Sequence, residues 1–116
     1  MSIELTKDEQ LVGLLSGVWS ADADAAFRTN GHRALLTVTR VELLEYLRGN
    51  SQAARDYLNK WEKIRPATDI NLIWAEADGY KVAWISRDGK PSSIRVFRDL
   101  NDAIAEHVCR HNGIQA

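Results

Sequence analysis

Apolar residues recur every three or four positions through the first half of the chain and give way to short apolar runs punctuated by turns near residue 70. That change of period separates helices from strands. Thr6 with Glu9 three residues on is a capping box, and Leu11, Leu14, Leu15, Val18 and Trp19 follow as a helical stripe. Ser20 to Asp24 is small and polar, a loop or the cap of a short helix over Ala25 to Thr29 that Asn30-Gly31 would end. Arg33 to Val38 reads as a short strand. Thr39 and Glu42 form a second capping box, opening a helix through Val41, Leu44 and Leu47 that Gly49-Asn50 stops. Ser51 is expected to cap the next helix, where Ala54, Tyr57, Leu58, Trp61 and Ile64 share a face and Pro66 ends the run.

From Asn71 to Val108 the chain reads strand, Asp78-Gly79 turn, strand, Asp88-Gly89-Lys90-Pro91 turn, strand, helix. With Asp78-Gly79 as a two-residue loop, Ala77 pairs with Tyr80, Ala75 with Val82 and Ile73 with Trp84 on one strongly apolar face. The other face pairs Leu72 with Ile85, Trp74 with Ala83 and Glu76 with Lys81. The third strand, Ser93 to Phe97, carries Ile94 and Val96 on one face and Phe97 beside Arg95 on the other. Asp99 or Asn101 caps the last helix, whose stripe of Leu100, Ala103, Ile104, His107, Val108 and His111 points inward before Gly113 ends it. The expected architecture is one α+β domain over residues 1–116. Helices fill the N-terminal half, an antiparallel meander of three or more strands follows, and the C-terminal helix packs on the face of Ile73, Val82 and Trp84.

Composition narrows the function classes. A chain of 116 residues with 45% hydrophobic and 27% charged residues suits a single globular domain that needs no staple. Fifteen basic against sixteen acidic side chains give a net charge of −1, so no global field draws the chain to nucleic acid or to an anionic membrane. The single cysteine, Cys109, excludes an internal disulfide and suits a reducing compartment. No basic segment followed by an apolar one opens the chain, and no apolar run approaches a membrane span, so a cytoplasmic location is expected.

Candidate chemistry is sparse. His107 and His111 share a helix face and could grip a metal, but Cys109 points roughly 200° away and the third ligand would have to be His32 or a distant carboxylate. Cys109 has no adjacent base in the sequence to make it a nucleophile. Asp22 with Asp24 and Glu42 with Glu45 are explained by helix caps and solvated faces. The glycines are isolated, which excludes the spacing of a P-loop or dinucleotide fingerprint, and Ser16 and Ser20 lack a nucleophile-elbow context. No cofactor, resident metal or catalytic activity is expected. The order helix, Gly49-Asn50, helix, hairpin also fits a winged helix-turn-helix, with Gln52, Arg55, Asn59 and Lys60 reading DNA. Asp56 and Glu62 on the same helix, and the apolar character of the hairpin, argue against it.

The half-apolar sheet face has Trp74 and Ile85 at its centre, Glu76 and Lys81 alongside, and Arg87 and Arg95 at its edge. An apolar centre with a charged, arginine-bearing rim is the composition of a protein-binding patch. The run Tyr80 to Gly89, followed by Ile94 to Ala105 with its Val-Phe-x-Asp-Leu-x-x-Ala pattern, resembles a module of small bacterial immunity proteins. The resemblance covers about the last third of the chain. It implies a cytoplasmic, cofactor-free inhibitor that occludes a cognate toxin domain, and it carries no binding residue across.

Overall fold

The computed structural model describes residues 5–30, 35–65 and 67–114. Among them are five helices, α1 (Lys7–Ser16), α2 (Ala21–Asn30), α3 (Arg40–Gly49), α4 (Ser51–Glu62) and α5 (Leu100–Asn112), and three strands, β1 (Ile70–Glu76), β2 (Gly79–Ile85) and β3 (Pro91–Phe97). The strands form one antiparallel sheet in the order β1-β2-β3, and α5 packs on it. This is the α+β architecture that the periodicity predicts.

Both capping boxes form. The Thr6 and Thr39 hydroxyls accept the N–H groups of Glu9 and Glu42, whose carboxylates take the N–H groups of Thr6 and Thr39 in return. α2 begins earlier than the sequence suggested, because the Ser20 hydroxyl accepts the Ala23 N–H at 3.1 Å and Asp22 and Asp24 sit in the first turn, where the helix dipole favours acids. Gly31 and Pro66, the expected stops, lie outside the described residues. Ser51 does not cap α4. It is the first helical residue, and the preceding Asn50 turns its side-chain amide back to Tyr46 O at 2.8 Å, so a single residue joins α3 to α4.

The strand expected over Arg33 to Val38 is not present among the described residues 35–38. The reason is Gln10, which is almost completely buried on α1. Its Oε1 accepts the N–H groups of Thr37 and Val38 at 2.8 and 3.0 Å, and its Nε2 donates to Leu5 O and Thr37 Oγ1. One side chain supplies the acceptor that a neighbouring strand would have provided.

The first hairpin is shifted by two residues from the predicted register. Glu76 pairs with Gly79, Ile73 with Val82 and Asn71 with Trp84, so the loop is Ala77-Asp78. Gly79 belongs to the strand at φ +148°, and a side chain there would press to 2.4 Å from the Phe97 carbonyl oxygen, so close strand approach fixes the glycine. A two-residue slip leaves every side chain on its predicted face. The second turn follows the expectation: Gly89 at φ +83° donates its N–H to Ser86 O, and Ser86 N–H donates to Lys90 O.

The core sits between the sheet and the helices, with Leu43, Leu47, Ile73, Val82, Ile104 and Val108 fully buried. Arg95, which pairs with Val82, reaches Glu106 on α5, which places α5 on the Ile73 and Val82 face. Trp84 shares that face yet remains 38% exposed.

Candidate functional site

The two histidines on α5 do not make a metal site. Burial places His107 in the core, where Nε2 faces Asn71 O at 2.8 Å and Nδ1 faces the Tyr57 hydroxyl at 2.6 Å. Nε2–H donates to the carbonyl, and Nδ1 accepts from the phenol. Both nitrogens are therefore committed before a metal arrives. Burial lowers the His107 pKa to about 4, against the Asn71 bond, and the same desolvation raises that of Tyr57. The Trp61 indole meets both imidazoles edge-on, with centroids 4.2 and 4.9 Å away. His32, the possible third ligand, lies outside the described residues, and no group of three metal-ligating side chains occurs among those described. Cys109 is buried, and burial raises its thiol pKa, the opposite of what a nucleophile needs.

The residue beside His107 organises the strongest electrostatic feature. Glu106 is buried on α5 and receives three guanidiniums: Arg40 and Arg95 (3.0 Å) at Oε1, and Arg110 (2.6 Å) at Oε2. Desolvation works to raise its pKa, but hydrogen bonds from Arg40 and Arg110 outweigh it and hold the carboxyl below the usual range. Three cations against one anion leave a local surplus of positive charge. Sequence reading missed this cluster. Glu106 and Arg110, one helical turn apart, were visible as a pair, but Arg40 and Arg95 arrive from α3 and β3 only through folding.

The patch predicted around Trp74 is divided by the structure. Trp74, Glu76, Lys81 and Ile85 do share a sheet face, but Trp74 is only 8% exposed. The chain leaving α4 covers it, with the Arg65 guanidinium carbon 4.9 Å above the indole and a cleft of about 240 Å³ between Arg65, Ala67, Leu72, Trp74 and Ile85. The indole N–H donates to Glu76 at 2.8 Å, and the other Glu76 oxygen pairs with Lys81 at 2.6 Å. Arg87 extends into solvent and pairs with Asp69. Arg95 lies on the opposite face, toward Glu106.

The same face is open one strand further out. Val96 pairs with Lys81, which pairs with Trp74, so Val96 and, two residues earlier, Ile94 continue the Trp74 face onto β3. They are 53% and 50% exposed. The sequence identified the apolar face but not which strand presents it.

Of the residues the winged-helix expectation names, Arg55 donates to Gln52 at 2.8 Å and Lys60 donates to Ser16 O at the end of α1, while the hairpin expected as a wing turns Ile73 and Val82 into the core. No described helix is long and apolar enough to cross a membrane. No protein-family model matches the chain, and neither a curated protein nor a solved structure matches it.

Proposed function

We propose that this chain is a non-catalytic protein-binding module that acts in the cytoplasm as an immunity protein, binding and neutralising a cognate bacterial toxin domain. The observation that carries the binding reading is the surface of β3, where Ile94 and Val96 stand exposed on one sheet face and Arg95 lies on the other. Exposed apolar side chains on a strand that also carries an exposed arginine are the composition that a specific protein contact uses. Three of the side chains weighed for catalysis are engaged in structure: His107 with Tyr57 and Asn71, Cys109 in the core, Glu42 in its capping box. The toxin-directed part of the reading draws on the resemblance of Tyr80–Gly89 and Ile94–Ala105, the segment that builds β2, β3 and α5. The contact surface moves from Trp74 to β3, and Arg95 is retained.

Affinity capture from native cell extract after nuclease treatment, followed by co-expression with the captured protein, tests this. One stoichiometric protein whose expression arrests growth, and whose toxicity this chain relieves, is the expected result. Recovery of nucleic acid alone, lost at moderate salt, or growth arrest that the chain does not relieve, overturns it.

A further inference from the structure

We propose that the outer edge of β3 is the docking site, and that it accepts an extended segment of the partner protein whose residues alternate between acidic and apolar. The inference rests on the protein-binding reading above and adds the mode of contact and the chemistry of the bound segment.

The backbone pattern defines the site. Ser86 N–H donates to Lys90 O, so the hydrogen-bonded positions of this ladder alternate from there. Trp84 with Ser92, Val82 with Arg95 and Tyr80 with Phe97 turn their backbone groups toward each other. Val96, between Arg95 and Phe97, turns its groups outward, and Ile94, at the bulge, has no paired residue on β2. The opposite edge of the sheet is protected, because Glu62 at the end of α4 accepts the Ala75 N–H at 3.3 Å and α4 packs along β1. On β3 only the beginning is closed: Pro91 has no N–H, Ser93 forms a bulge at φ +50°, and Arg110 donates to Ser93 O at 2.8 Å. An open stretch remains from Ile94 to Phe97.

The side chains along that stretch define what fits. A strand added there alternates its residues between the two faces of the sheet. On one face it meets Ile94 and Val96, which calls for apolar residues. On the other it meets Arg95, whose side chain is 57% exposed and which shares its carboxylate with two further arginines. Asp102, one turn before Glu106 on α5, pairs with none of the three among the described residues. A carboxylate brought to Arg95 therefore enters a positive field and can be held bidentately. A second copy of this chain fits poorly, since antiparallel pairing of β3 with itself about Arg95 sets the two guanidiniums against each other.

An acetylated, amidated Val-Glu-Val-Glu-Val peptide and its Val-Lys-Val-Lys-Val counterpart test the site on the intact protein, read by amide hydrogen exchange. At millimolar concentration the Glu peptide should slow exchange at Ile94 and Val96, and the Lys peptide should not. Val96→Pro deletes an outward N–H without touching the ladder to β2, and should weaken the Glu peptide by roughly fivefold to tenfold, the value of one such hydrogen bond. Arg95→Ala should reduce the preference for Glu over Lys. No protection at either amide, or equal protection by both peptides, overturns the proposal. A captured partner that binds Val96→Pro and Arg95→Ala as well as the parent overturns the edge while leaving the protein-binding reading intact.

Discussion

The Tyr57 hydroxyl lies 2.6 Å from His107 Nδ1 in the core, joining α4 to α5, and the far nitrogen of the same ring bonds to Asn71 O on β1. One neutral imidazole thus ties two helices to the sheet, with Nε2 carrying the proton because a carbonyl can only accept. A histidine in this position is a structural strut, and its chemistry shows in how the fold responds to acid.

With its folded pKa lowered to about 4, His107 stays neutral where an unfolded histidine, near 6.5, takes up a proton. Between those values the unfolded chain binds the extra proton, so acidification through this window destabilises the fold. The contribution is present in full above pH 6.5, falls by about 3 kcal/mol on the way to pH 4, and levels off below. Thermal unfolding at pH 7 and pH 5 should show a clear drop in Tm for the parent chain. His107→Gln should be less stable at pH 7 but flatter between the two. An equal drop in the variant would place the acid sensitivity elsewhere.

Gln10→Ala removes the acceptor for Thr37 and Val38 N–H and the donor to Leu5 O. Leaving two backbone amides without a partner in a part-buried setting should cost about 2–3 kcal/mol. The shift in denaturant midpoint measures it, and faster amide exchange at Thr37 and Val38 identifies its source.

Glu106→Gln leaves Arg40, Arg95 and Arg110 facing one another without a counter-charge. Breaking a buried ion pair from one side costs about 3–5 kcal/mol, and Glu106 is the one carboxylate paired with these arginines among the described residues, so a loss in this range is expected in equilibrium unfolding. Added salt should recover part of it by screening the repulsion.

Trp74→Arg should destabilise the domain instead of acting as a clean binding variant, because the indole is buried beneath Arg65 and its N–H is bonded to Glu76. Replacing a buried tryptophan in this way should cost about 3–5 kcal/mol, the range for truncating large core aromatics, with a cation added beside Arg65. Circular dichroism melts decide it: an unchanged Tm would show that the face above Trp74 opens readily.

The local patterns were legible because they depend on neighbours in sequence. Thr6 with Glu9 and Thr39 with Glu42 declare helix starts, Asp88-Gly89 declares a turn, and the parity of Ile73 and Val82 against Trp74 and Ala83 assigns sheet faces that a two-residue slip of the hairpin cannot change. Tertiary structure decided the remainder, since its partners lie far apart along the chain. Gln10 reaches across 28 residues to Val38 and replaces a strand, while Arg40 crosses 66 residues to meet Glu106. Arg65 lies over Trp74, closing the surface that composition favoured and leaving Ile94 and Val96 on β3 exposed. Periodicity specifies which face of an element is apolar, but only packing determines which part of that face another segment covers.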